Sequence, residues 1–143
     1  MAVDAESGEP RVFDRDSGVP IADAVAASCA VPLVWPPITI EGRRYIDGGV
    51  RSIANADLAV GCDRVVVLAP STVALRRSSR IISQLATVGP DVRSVIVSPD
   101  AEARNAIGRN FLDPAKRAHS AREGRRQAAA AIGAVQAVWS DQS

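Results

Sequence analysis

With 143 residues, 47% of them hydrophobic and 23% charged, the chain is long enough to bury a core and too apolar to be disordered. A formal net charge of +1 gives no global attraction to nucleic acid. No apolar run approaches the ~20 residues of a membrane-spanning helix, so a single cytoplasmic α/β domain over residues 1–143 is the starting expectation.

Residues 3–5 and 11–13 read as two short strands joined by the turn Glu6-Ser7-Gly8-Glu9-Pro10. After the polar loop of residues 14–18, Pro20 suits the first turn of a helix running to about Ala30. Its apolar face would carry Ile21, Ala24, Val25, Ser28 and Cys29, and Pro32 would stop it. Pro32, Pro36 and Pro37 make residues 33–37 irregular. Residues 38–40 and 44–46 form a hairpin around Glu41-Gly42. Asn55 is a candidate N-cap for a short helix ending at Gly61. The unbroken apolar run of residues 64–69 has the character of a central parallel strand covered on both faces. A helix over residues 78–88 would bury Ile81, Ile82, Leu85 and Val88, and residues 94–97 form a second buried strand. Asp100 and Asp113 read as N-caps, the latter with Pro114 in the first helical position. The last helix reaches about Trp139, with a small-residue stripe of Ala118, Ala121, Ala128, Ala129, Ile132, Val135 and Trp139. Alternating strands and helices point to an α/β sheet layered between helices.

The two cysteines, Cys29 and Cys62, stand in apolar settings at no metal-like spacing, so buried structural thiols are expected and no metal or organic cofactor is implied. The first residues lack the basic and apolar regions of a signal peptide, consistent with the cytoplasm.

The chemistry concentrates in Arg44-Tyr45-Ile46-Asp47-Gly48-Gly49-Val50. It sets a carboxylate at the end of a short strand, directly before two glycines that permit close approach. A bare Asp-Gly-Gly is more often a turn than a site, because aspartate bonds locally to the backbone there. The flanking segments change that reading. Ala26-Ala27-Ser28-Cys29-Ala30-Val31-Pro32 and Trp35-Pro36-Pro37 precede the strand, and Arg51-Ser52-Ile53-Ala54-Asn55-Ala56-Asp57-Leu58-Ala59 follows it.

In this order the segments resemble the second half of bacterial patatin-like phospholipases. The resemblance runs from Val3-Asp4-Ala5-Glu6-Ser7-Gly8-Glu9 to the Asp113-Pro114 helix. It implies part of a three-layer α/β/α fold with a mainly parallel central sheet, the N-terminal part missing. It also implies a lipid acyl hydrolase that cleaves esters through a Ser-Asp dyad, with Asp47 as the base and Gly48 and Gly49 completing the motif. In such a dyad the carboxylate takes the serine proton directly as the hydroxyl attacks the ester carbonyl. The family's other parts are a G-x-S-x-G nucleophile elbow and a glycine-rich oxyanion loop. No serine of this chain has glycine at both −2 and +2, so the chain alone is expected to be inactive and to need a missing N-terminal half. A parallel sheet lacking its neighbours leaves unpaired edges, so self-association is the other expectation.

Other residues carry weaker signals. His119, the only histidine, falls in the basic run Lys116-Arg117-Ala118-His119-Ser120 and reads as a solvated helix residue. Lys116, Arg117, Arg122, Arg125 and Arg126 read first as a solvated helix face and second as a contact for anionic lipid headgroups, which Arg76, Arg77 and Arg80 could extend. Trp35 is a weak candidate for lining an acyl pocket, against packing of its own loop on the core. The alternative function is a non-catalytic module of the same scaffold that binds a lipid surface or a protein. No glycine-rich phosphate loop follows a strand, which sets a nucleotide-binding role aside.

Overall fold

The computed structural model describes residues 1–73 and 76–140. The chain forms two compact units, Met1–Asn55 with Val73–Ser83, and Ala56–Thr72 with Gln84–Ser143. The division falls inside one helix, α2 (Ile81–Val88).

The first unit is a four-stranded antiparallel sheet with one helix. Its strands are β1 (Ala2–Asp4), β2 (Pro10–Arg11), β3 (Ile38–Ile40) and β4 (Arg43–Asp47), in the order β2-β1-β4-β3. The β3–β4 hairpin is the one expected, pairing Ile38 with Tyr45 and Ile40 with Arg43. Glu41 and Gly42 both take positive φ at its turn, the conformation that a two-residue hairpin loop requires. β2 is shorter than expected and ends before Phe13, because Phe13 turns inward to meet Tyr45 edge-to-face at 5.4 Å. Pro10 is tolerated there because β2 is an edge strand. Ala2, Ile40, Tyr45 and Ala27 form the buried cluster, the last from α1 (Ile21–Ser28).

The face of α1 turned to this sheet is not the one the apolar spacing indicated. Ala27 is buried, whereas Ile21, Val25 and Cys29 are exposed. A thin sheet covered by small residues accepts alanine at close range. The larger side chains face outward as a result. The tight turn of β1 is fixed by Asp4, whose buried carboxylate accepts from the Glu6 and Ser7 N–H groups at 2.9 Å each and from Arg43 Nε at 2.7 Å.

The second unit holds β5 (Arg64–Leu68) and β6 (Arg93–Val97) as a two-stranded parallel sheet, with Arg64 opposite Arg93 and Leu68 opposite Val97. The α/β class read from the sequence is the class observed, and its parallel part is this pair. β5 is not covered on both faces, since Val67 is 8% exposed but Leu68 is 74% exposed. α3 (Ala101–Ile107) begins where expected, with Asp100 Oδ1 accepting from the Ala103 N–H at 2.8 Å. Asp113 likewise caps the turn Pro114–Lys116, which leads into α4 (Arg117–Trp139).

α4 is rotated from the expected stripe. Ala118, Ala121, Ala128, Ala129, Ile132 and Trp139 are exposed, and Glu123, Gln127, Ala131, Val135 and Val138 turn inward. The cause is polar. Gln127 Nε2 donates to the Ser98 carbonyl at 2.6 Å while its Oε1 accepts from the Asp100 N–H at 3.1 Å. One amide thereby serves two backbone groups that would otherwise lack partners, which outweighs the small gain from burying alanines. At the far end, Arg64 donates to the Trp139 carbonyl at 2.6 Å and Arg93 to that of Ser140 at 3.0 Å, placing positive charge where the helix dipole is negative.

Three further expectations change. The helix foreseen after Asn55 is a short 3-10 turn, Ala56–Ala59. α2 begins at Ile81 rather than residue 78, because Arg80 is extended after the separate 3-10 turn Arg77–Ser79. Ile82 on α2 is exposed, while Gln84 is buried and accepts from the Ala56 N–H at 3.1 Å. Cys62, like Cys29, is exposed. No helix among the described residues is long and apolar enough to cross a membrane.

Candidate functional site

Asp47 is the last residue of β4, opposite Ala2 of β1. Side chains alternate along a strand, so Tyr45 and Asp47 share one face and Ile46 takes the other. Tyr45 packs against Ala27 in the buried cluster, which puts Asp47 on the α1 side of the sheet. Its N–H donates to the Ala30 carbonyl at 3.0 Å, just beyond the end of α1. The strand end is thus held from both sides.

The carboxylate is held as well. Oδ1 accepts from the Gly49 N–H at 2.6 Å, while Oδ2 has no hydrogen-bond partner among the described residues. The two glycines are needed for space. A Cβ on Gly48 would lie 2.5 Å from the Met1 carbonyl oxygen, and one on Gly49 would lie 2.8 Å from Asp47 Oδ1. Gly48 lets β1 pass close beneath the turn, and Gly49 lets its own N–H reach the carboxylate.

Asn55, not singled out as a site residue from the sequence, fixes the loop that follows. Its Nδ2 donates to the carbonyls of Gly48 at 3.1 Å and Ser52 at 2.8 Å, and its Oδ1 accepts from Arg51 at 2.9 Å. The side chain points back along the loop rather than forward as an N-cap, and its backbone sits at φ 46°. Asparagine is among the few residues that adopt this region readily, and a Ser52-x-x-Asn55 pair of short polar side chains was the available signal. Ser52 is buried and committed: its Oγ accepts from the Asn55 N–H at 3.2 Å and donates to the Ser79 carbonyl at 3.3 Å. It is a structural serine.

A cavity of about 420 Å³ opens in the same unit, lined by Val3, Ile46, Val50, Ile53 and Val73 among apolar residues and by Arg51, Ser52, Arg76 and Ser79 among polar ones. Ile46 and its partner Val3 belong to the sheet face opposite Asp47, and neither Asp47 nor Trp35 lines the cavity. Trp35 instead stands 61% exposed, beside the fully exposed Leu33. Its loop is closed by backbone bonds from Val34 and Trp35 to the Val31 carbonyl rather than by burial of the indole. Packing of this loop on the core does not describe it.

Residues 1–60 match the patatin-like phospholipase family. The matched segment contains Trp35, Asp47, Gly48, Gly49 and Asn55, and ends before β5. No curated protein matches the chain.

The remaining sequence candidates fall elsewhere. His119 is exposed on α4, in the second unit. Of the basic residues on that helix, Arg126 is engaged, with Asp100 at 2.6 Å and Glu123 at 2.7 Å. Lys116, Arg117, Arg122 and Arg125 remain exposed. Among the described residues, no three His, Cys, Asp or Glu side chains gather to hold a metal ion.

Chemically, the site offers one carboxylate with one oxygen anchored and the other open. Such a group can accept a proton from a hydroxyl brought within about 2.6–3.2 Å of Oδ2 without losing its orientation.

Proposed function

We propose that the chain carries the base half of a lipid acyl hydrolase, with Asp47 as the aspartate of a Ser-Asp dyad. The observation that carries this reading is the coincidence of the family match with the carboxylate at the end of β4, Oδ1 fixed by Gly49 and Oδ2 open. In the reaction a serine hydroxyl attacks the ester carbonyl while Oδ2 of Asp47 takes its proton. The tetrahedral intermediate then collapses, the same proton passes to the departing alcohol, and an acyl-serine remains. Water repeats the sequence to release the acid. The nucleophile comes from residues other than these, because no serine here has the elbow's flanking glycines and Ser52 is bound into the loop. The chain alone is therefore inactive.

A second reading, a lipid-surface module without catalysis, draws on the exposed Leu33 and Trp35 and on the free basic face of Arg122 and Arg125. One experiment separates the two. The chain is assayed on a short-chain p-nitrophenyl ester alone and with a patatin-like N-terminal half that bears G-x-S-x-G, with fluorophosphonate labelling alongside. The expected result is no turnover and no label on this chain alone, then turnover in the combination that Asp47→Asn lowers by about 10²–10⁴-fold. Turnover indifferent to Asp47 would remove the dyad reading, and no turnover in any combination would leave the lipid-surface module.

A further inference from the structure

One peptide group links Asn55 to the base. The Gly49 N–H that fixes Asp47 Oδ1 at 2.6 Å belongs to the Gly48–Gly49 peptide, and the carbonyl of that same peptide accepts from Asn55 Nδ2 at 3.1 Å. A peptide is a rigid plane, so holding its oxygen fixes where its N–H points. This plane needs holding. It lies between two glycines, the residues with the widest choice of backbone angles, and the contacts of the turn demand a glycine at both positions. The Arg51 and Ser52 N–H groups also reach the Gly48 oxygen, at 3.1 and 3.3 Å, but they lie in the same turn and move with it.

Asn55 differs in gripping the turn at both ends. Its Nδ2 donates to the Gly48 carbonyl and, at 2.8 Å, to that of Ser52, while its own N–H is tied to Ser52 Oγ at 3.2 Å. The sense of the amide is fixed by its neighbours. The guanidinium of Arg51 can only donate and the two carbonyls can only accept, so Oδ1 faces Arg51, at 2.9 Å, and the NH2 faces the carbonyls. A carbonyl that accepts bonds also polarises its peptide, which strengthens the Gly49 N–H as a donor to the carboxylate.

We propose that Asn55 is the positioning residue of the Asp47 base: it latches the Gly48–Gly49 peptide by its oxygen and so keeps Oδ1 bonded and Oδ2 presented to the serine hydroxyl. This rests on the reading of Asp47 as the dyad base. Asn55 acts through the peptide and takes no part in the proton transfer itself.

Two variants remove the latch without straining the backbone. Asn55→Gly deletes the side chain at a φ of 46° that glycine accepts, and Asn55→Asp keeps the shape and the Arg51 contact but has no N–H to donate. Ser52→Ala is the control, since it removes two bonds of the same loop and leaves the Gly48–Gly49 peptide alone. The first readout is the Gly49 amide proton in the NMR spectrum of the chain by itself. Both Asn55 variants should move it upfield, as Asp47→Ala does, and Ser52→Ala should not. The second is ester turnover with the N-terminal half that bears G-x-S-x-G. Both Asn55 variants should lower kcat and kcat/KM equally, by about tenfold to a hundredfold, whereas Ser52→Ala should lower the melting temperature and leave kcat. A Gly49 resonance unchanged in both Asn55 variants overturns the proposal, and so does a kcat that falls no further than in Ser52→Ala. Turnover indifferent to Asp47 overturns the dyad reading instead, and the amide readout, which needs no turnover, still decides the latch.

Discussion

Replacing each glycine of the Asp47 turn by alanine should produce two different failures. At Gly48 the new Cβ would lie 2.5 Å from the Met1 carbonyl oxygen and 3.0 Å from its Sδ. The sulfur can move, but the carbonyl belongs to the backbone leading into β1. Restoring an ordinary contact of 3.4 Å requires a displacement of about 0.9 Å. Ala2, the next residue, is fully buried and pairs with Asp47, so the shift disturbs the core directly. Overpacking of this kind costs about 1–3 kcal/mol. Alanine also restricts the unfolded chain, which offsets about 0.4–1 kcal/mol. A net loss of about 1–2 kcal/mol remains, or about 2–8 °C in melting temperature for a chain near this size. At Gly49 the new Cβ meets only the end of the Asp47 side chain, at 2.8 Å from Oδ1. That carboxylate can rotate away, so Gly49→Ala should melt within about 2 °C of wild type. It should nevertheless lose the 2.6 Å bond that orients the base, and with it the Asp47-dependent turnover of the combined enzyme. Circular dichroism melts of both variants, beside the ester assay, read out the difference. A Gly48→Ala chain that melts like wild type, or a Gly49→Ala chain that is the less stable of the two, would refute the reasoning.

Acid sensitivity should be traceable to Asp4. Its carboxyl is held below the ordinary 3.8 first by the Ser7 N–H, then by that of Glu6, with Arg43 adding to both. A depressed folded-state pKa contributes stability that is fully present above the unfolded value and is lost as pH falls through the folded one. The urea midpoint should therefore decline below about pH 4, and Asp4→Asn should flatten that decline while lowering the plateau. On anionic vesicles, Arg122→Gln with Arg125→Gln should weaken binding by about 1 kcal/mol per residue, whereas Arg126→Gln, already engaged by Glu123 and Asp100, should change it little. Equal losses from all three positions, read by flotation, would show that the ion pairs of Arg126 do not shield it.

The parts of this fold legible in the sequence are those decided locally. The β3–β4 hairpin followed from Glu41-Gly42 between alternating apolar residues, and the starts of α3 and of the turn before α4 followed from Asp100 and from Asp113 with Pro114. The parallel pairing of β5 with β6 was readable from two apolar runs. What escaped depends on partners distant in the chain. The rotation of α4 is set by Gln127 reaching residues 98 and 100, which no periodicity of α4 itself contains. The inward face of α1 is set by alanine fitting a thin sheet, so Ile21 and Val25, the more hydrophobic residues, lie outside. Leu68 reads as buried from its neighbours and is exposed because its face of β5 is left uncovered while that of Val67 is not. At the site, Asp47 and its glycines were visible as a motif. Asn55 was visible only as a cap, because the carbonyls it binds are those of the motif loop itself.

The exposed thiol of Cys29 gives the Asp47 region a built-in reporter. Cys29 directly precedes Ala30, whose carbonyl receives the Asp47 N–H, so an environment-sensitive dye attached there sits one residue from the peptide bond that anchors the strand end. With Cys62→Ser the label is unique, and its emission would follow the arrival of any polypeptide or lipid beside the carboxylate in real time, before and independently of any turnover.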